Sequence, residues 1–396
     1  MSALFNKYTL FLIAGMLITG TANTLLNKLQ DRQCVGDCDT SRPQLFEQPV
    51  WQTLIMFFGE FGCILGPIFI HLQTRFGKYQ PVSSDSSEIP IEAAADGQRI
   101  QPMTGTRKLL MWLPTLCDIC GTTLMNVGLI YTSASIYQML RGAIVLFVAV
   151  FSVIFLKRKL QLYQWGSLLS IVLGVSLVGL SSIFKPAPPP TFTNEANEGM
   201  AALGVFMVLF AQMFTATQFV VEEKILSRYS VGPIEAVYLE GFFGIITVSF
   251  AILVGHFQYG QYHPGSYWDA VTAYHQIFDN VGVWGTGIAI AISIGFFNFF
   301  GLSVTRTVSA TSRSTIDTSR TLFIWMFSLV LGWETFSFLQ VIGFMLLVYG
   351  TFLFNGVIDP PACLVTPTQP VISVQSSAGG SQPAAAAVDE TSPLIG

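Results

Sequence analysis

The chain has 396 residues, 52% of them hydrophobic and 11% charged. A soluble domain carries about 25% charged residues, so the deficit excludes a protein bathed in water on every side. A net charge of −4 argues against a nucleic-acid partner.

A membrane span needs roughly 20 apolar residues to cross ~30 Å of hydrocarbon. Ten segments qualify: 8–29, 49–72, 109–131, 133–156, 160–184, 199–226, 233–255, 281–303, 309–332 and 334–357. The first run is longer than the core of a secretory signal and no small-x-small cleavage site follows it, so it reads as a retained span. The loop after it holds Cys34 and Cys38, which can form a disulfide if that loop is luminal. Segment 73–108 is rich in Ser, Ala and acid and reads as a disordered cytosolic linker. Cys117-x-x-Cys120 resembles a metal pair, but neither a second pair nor a histidine accompanies it, so packing residues are expected there and no metal or cofactor. Very short turns join spans three and four, and nine and ten, which predicts antiparallel neighbours. Pro186 and Pro188-Pro189-Pro190 make 185–198 a stiff luminal spacer. His256, His263 and His275 fall in a luminal loop with an interfacial helix between Tyr267 and Asp279.

Two stretches repeat one pattern. Thr132-Ser133-Ala134 precedes Arg141, Gln164, Ser167 and Gly174; Ser309-Ala310-Thr311 precedes Arg320, Gln340, Gly343 and Gly350. Each closes a block of five spans, and an odd number turns the second block upside down. The expected fold is an all-α integral membrane protein with ten transmembrane helices in two inverted five-helix repeats, 1–184 and 199–357, and a disordered tail, 358–396. Inverted repeats place a binding site near the midplane of an alternating-access transporter.

Basic residues orient the bundle. With a cytosolic N-terminus, the cytosolic segments hold Lys7, Arg75, Lys78, Arg99, Arg107, Lys108, Lys157, Arg158, Lys159, Lys224, Arg228 and Arg306, against luminal Lys28, Arg32, Arg42 and Lys185. Ten spans return the C-terminus to the cytosol. There Glu390, four residues before Leu394-Ile395, matches an acidic dileucine sorting signal, which an extended tail can present to a clathrin adaptor. A lysosomal or late endosomal membrane follows, with Golgi and mitochondrion as alternatives.

Charge at bilayer depth costs at least ~2.5–3.5 kcal/mol on insertion scales, so each intramembrane ionisable residue needs a reason. Glu60, Asp118, Arg141 and Glu240 lie inside spans, and Arg313, Asp317 and Arg320 share one face of the ninth. A 1.5 Å rise per residue puts Arg141 roughly 13 Å and Glu60 roughly 16 Å below the luminal side, a depth at which they could pair. Glu240 and Asp317 match in the other half. These residues are either structural ion pairs and gates, or a midplane site in which Arg141, Arg320 and Arg313 attract an anion and Glu60 or Glu240 couples protons. Asn23, Asn27, Gln212 and Gln218 either line the same cavity or bond helices together. Glu222-Glu223-Lys224 reads as interface anchors or gate charges. Gly166, Gly174, Gly179, Gly343 and Gly350 pack either a homodimer or the bundle itself.

Gly332-Trp333-Glu334, Gln340 and Gly343 resemble a signature of the drug/metabolite transporter superfamily. The first half departs from it, with Lys157-Arg158-Lys159 in place of the acid and Ser167 in place of a glycine. Thr132-Ser133-Ala134-Ser135, Gln138-Met139-Leu140-Arg141-Gly142-Ala143, Glu222-Glu223-Lys224, Phe297-Asn298-Phe299 with Gly301, Ser303-Val304-Thr305 and Ser309-Ala310-Thr311 are similar to solute carrier family 35, in its F6 branch. The resemblance implies ten spans, a multipass nucleotide-sugar-transporter-like protein and a lysosomal location. It also implies, for some members, a mitochondrial place beside an adenine-nucleotide translocase.

The expected function is secondary-active transport of a small polar or anionic organic solute, such as a nucleotide sugar. The alternatives are a proton-coupled amino-acid or peptide exporter and a non-transporting membrane scaffold. HExxH, Gly-x-Ser-x-Gly and phosphate-cradling glycine loops are missing from the sequence, which argues against an enzyme.

Overall fold

The computed structural model describes residues 7–36, 38, 44–46, 48–75, 102–131, 137, 140–184, 198–330 and 338–360. Helix α1 is Lys7–Asp31, α2 Pro49–Gly62, α3 Leu65–Arg75, α4 Trp112–Tyr131 (entered through a 3-10 turn, Gly105–Met111), α5 Ile144–Phe155 and α6 Leu162–Phe184. The remainder are α7 Glu198–Arg228, α8 Pro233–Gln258, α9 Ala270–Phe278, α10 Val281–Thr307, α11 Ala310–Val330 and α12 Phe338–Phe354. Lys7–Asp31, Pro49–Arg75, Leu203–Arg228, Pro233–Tyr262 and Val281–Thr307 are long and apolar enough to cross a membrane. The bundle is turned outside in: Leu10, Phe11, Ile18, Phe206, Phe250 and Ile288 are exposed, whereas Glu60, Glu222, Glu240, Arg313 and Arg320 are buried. Lipid takes up the apolar rim, and polar groups find one another inside.

The expected span 49–72 is broken. The helix ends at Gly62 and resumes at Leu65, because Pro67 has no N–H for the Cys63 carbonyl and its ring crowds that group. The Gly66 N–H donates to the Cys63 carbonyl instead, at 3.2 Å. Glu60 thus stands three residues before a helix discontinuity.

Helices pack through small residues. A Cβ on Gly59 would lie 1.9 Å from the Ala291 carbonyl oxygen, so α2 and α10 touch backbone to backbone. A Cβ on Gly174 would lie 2.6 Å from the Gly343 oxygen, and one on Gly350 2.8 Å from the Ser167 oxygen. These glycines seat α6 on α12 within the chain, the second of the two packings the sequence allows. α1 packs on α10 and α11, α2 on α8 and α10, α4 on α7 and α8, and α5 on α7 and α11. α11 meets α12 as expected. Spans three and four do not run as close neighbours among the described residues: α4 turns its glycines toward α7, where Gly121 faces Thr215 and Gly128 faces Val208.

The Cys34–Cys38 disulfide forms. Cys34 begins β1, Cys34–Gly36, which pairs antiparallel with β2, Gln44–Leu45. Phe46 then packs on Ile277 and Val283. A helix does form in the segment from Tyr267 to Asp279, α9, capped by Asp269, whose carboxylate accepts from the Val271 and Thr272 N–H groups. At the opposite end, Met103 and Met111 pack with Ile225, Leu226 and Val231, and Lys108 Nζ sits 2.9 Å from Glu235 Oε1. Composition predicts disorder over 73–108, yet α3 runs to Arg75 and apolar Met103 fixes residues from 102 onward onto the bundle; 76–101 lie outside the described residues. So do the spacer through 197, the turns 132–136 and 331–337, and the tail from 361, which includes Glu390, Leu394 and Ile395.

Candidate functional site

The intramembrane charges separate into two layers. The first gathers around Arg320, whose Nε lies 3.1 Å from Asp317 Oδ1 one turn earlier on α11. Its guanidinium carbon sits 4.9 Å from the centroid of the Phe297 ring, a cation–π contact. Gly20 on α1 makes this possible: a Cβ there would lie 2.7 Å from Phe297 and 2.8 Å from Arg320 Nη1. Arg141 lies within electrostatic reach of Arg320. It is half-buried, 5.9 Å from the Tyr137 ring centroid, and makes no ion pair among the described residues. Asn23 is buried beside them; its Oδ1 accepts from Ser293 Oγ at 3.1 Å, and its backbone carbonyl accepts from Asn27 Nδ2 at 2.8 Å.

The second layer is acidic. Glu222 on α7 pairs with Arg313 on α11, both almost wholly buried. Arg313 lies 3.9 Å from the Phe219 ring centroid, and Gly301 leaves it room, since a Cβ there would lie 2.8 Å from Arg313 Nε. Glu60 accepts a hydrogen bond from Asn298 on α10. Glu240 adjoins it, because Gly241 admits α2 so closely that a Cβ would lie 2.9 Å from that of Glu60. Half-buried Asp118 stands beside Gln218 and Glu222. Among the described residues, one oxygen of each of Glu60, Glu222 and Glu240 has no hydrogen-bond partner, and the layer sets four carboxyls against one guanidinium.

The expected Glu60–Arg141 pair is not formed. Helical rise gives them similar expected depths, but α2 faces α8 and α10, not α5, so their lateral positions hold them apart. Glu240 adjoins Glu60, and of the two arginines flanking Asp317 it is Arg320 that holds it. Glu222 and Glu223 are buried within the bundle. Glu223 pairs with Arg158 after α5 and accepts from the Ala310 N–H at 2.7 Å, tying the start of α11 to α7. Asn298 entered the sequence reading only as part of a motif; its being an amide within an apolar span was the signal that it bonds a buried partner. Gln212 donates to its own helix at Val208.

Other candidates lie apart. His256 Nδ1 is 3.9 Å from Asp269 Oδ1, and His275 Nδ1 is 3.0 Å from Asp279 Oδ2, both at the rim with His263. Cys117 is buried and Cys120 exposed, and no metal-holding group of three His, Cys, Asp or Glu occurs among the described residues.

Residues 96–355 match the family described as nucleotide-sugar transporter. Solute carrier family 35 member F6 of Homo sapiens is 37% identical over 360 residues, covering 90% of this chain and 91% of its own. The Rattus norvegicus counterpart is 37% identical over 365 residues, 91% of this chain and 92% of its own. An uncharacterized Schizosaccharomyces pombe protein is 36% identical over 87% of this chain and 97% of its own. A solved crystal structure, 10% identical, superposes with a TM-score of 0.55 over 88% of this chain and 96% of its own, which marks a shared fold alone. With apolar helices, a polar interior and these relatives in agreement, the chain belongs to the nucleotide-sugar transporter family, in the solute carrier 35 group, and is a membrane transporter rather than an enzyme.

Proposed function

We propose that the protein is a secondary-active transporter that moves a small anionic organic solute by alternating access, with the anion held between Arg141 and Arg320. One observation carries the reading. Arg141 is a guanidinium at span depth with no carboxylate partner among the described residues, set beside a second arginine whose charge Asp317 already balances. A planar fork of this kind suits a phosphate or carboxylate, and a nucleotide sugar presents the former.

Ten spans in two inverted repeats fit this mechanism. The packing supports that arrangement: exchanging α1, α2, α4, α5 and α6 for α7, α8, α10, α11 and α12 maps the α1–α10 contact onto α4–α7, α2–α10 onto α4–α8 and α1–α11 onto α5–α7, and leaves α2–α8, α5–α11 and α6–α12 in place. Basic loops favour cytosolic termini, and Glu390 with Leu394-Ile395 would deliver the protein to a lysosomal or late endosomal membrane through a clathrin adaptor.

The test is counterflow in proteoliposomes, comparing nucleotide sugars, nucleoside monophosphates and neutral amino acids. Uptake of a phosphorylated solute, lost in Arg141→Ala and Arg320→Ala, is the expected result. Uptake unchanged in both variants defeats the anion site.

A further inference from the structure

We infer that the acidic layer is a proton site, separate from the anion site, and that the two together make the protein a proton–anion symporter. Four carboxyls from four helices lie within electrostatic reach of one another: Glu60 on α2, Asp118 on α4, Glu222 on α7 and Glu240 on α8. Gly241 brings α8 against α2 at Glu60, Asn298 from α10 bonds Glu60, and Arg313 from α11 pairs with Glu222. Arg313 is committed to Glu222. Glu60 and Glu240 are 2% and 5% exposed, and among the described residues neither has an ion pair and each keeps an oxygen without a hydrogen-bond donor. Uncompensated charge is not tolerated in such a place, so a positively charged species must accompany these groups. A metal ion is disfavoured, because among the described residues no three such side chains converge on one point. A proton needs neither a cage nor space: it binds one oxygen, and the resulting hydroxyl donates to a neighbouring unpartnered acceptor. Among the described residues, Cys63 and Cys117 are further titratable neighbours, and both are thiols without a fixed charge.

The separation supplies the coupling. Arg313 and Arg320 stand seven residues apart on α11, or ~10 Å by helical rise. Removing one negative charge at that distance strengthens anion binding on the order of tenfold at an effective dielectric of ~20, and linkage requires that the anion favour proton uptake by the same factor. Proton and anion therefore load together. This coupling rests on the transport reading above; the proton site itself does not.

The experiment is difference infrared spectroscopy of the full chain in liposomes between about pH 5.5 and pH 9, where exposed carboxyls stay ionised. A protonated-carboxyl C=O stretch at the lower pH that disappears at the higher is expected. Glu60→Gln and Glu240→Gln should each remove part of the band, while Arg141→Ala keeps it and loses uptake. No such band in the wild type overturns the proton site, whether or not the variants fold. A band that both Gln variants leave intact does so too. If the band behaves as expected but Arg141→Ala transports normally, the anion site fails and the proton site stands. If both sites hold but a pH gradient leaves uptake unaltered, the symport inference is overturned.

Discussion

The acidic and basic layers stand ~10 Å apart along α11, share that helix, and solve the same electrostatic problem in different ways. In the acidic layer the arginine is sealed: Arg313 is 1% exposed, stacked on Phe219 and paired across helices with Glu222. In the basic layer Arg320 is paired within its own helix, and half-buried Arg141 has no carboxylate among the described residues. An arginine paired across helices holds them together, whereas one paired locally or not at all is the kind that the proposed anion site uses. The contrast teaches that burial of a charge in this bundle does not by itself identify a binding residue; the partner's location does.

The comparison breaks first at Arg313. Arg313→Ala leaves Glu222 buried and unpaired, which costs about 3–5 kcal/mol; the melting temperature of the detergent-solubilised chain should fall sharply, and an unchanged value would erase the distinction between the layers. Gly59→Ala forces α2 away from α10, because the new Cβ would lie 1.9 Å from a backbone oxygen. Overpacking of this kind costs about 1–3 kcal/mol, and the same melting assay should register it.

Asp269, outside both layers, is a reference carboxylate with a full set of donors. Burial alone would raise its pKa, but hydrogen bonds from Thr272 Oγ1 and the Gly265, Thr272 and Val271 N–H groups outweigh that and hold it below the usual carboxylate range. Its stabilisation is therefore complete above the ordinary Asp value of ~3.9 and is lost as pH falls through the lower folded value. Asp269→Ala should cost about 1 kcal/mol through the lost cap, read as a lower melting temperature at neutral pH and no difference in strong acid. Arg158→Ala breaks a half-exposed pair with Glu223 and should cost about 0.2–1 kcal/mol. Arg141→Ala should move the melting temperature least, with its effect appearing in uptake; a large loss of stability there would make Arg141 structural and erase the contrast.

The sequence alone was enough to locate the helices, the two cysteines that could bond in the loop after the first span, the ionisable residues within apolar runs and the family. Each is a local property: apolar run length, a short loop between cysteines, or residue identities in order. Even the break at Cys63–Ile64 was legible in Pro67, although hydropathy averaged it away. Partner choice was not local. Helical rise gives a residue's depth, one coordinate of three, and on that coordinate Glu60 suited Arg141 well. Which groups meet at that depth depends on lateral packing, set by glycines such as Gly59, Gly241 and Gly301 that let particular backbones and side chains approach. The tertiary structure therefore decided that Glu60 joins Glu240 and Asn298, that Glu222 claims Arg313, and that Arg141 is left within electrostatic reach of Arg320.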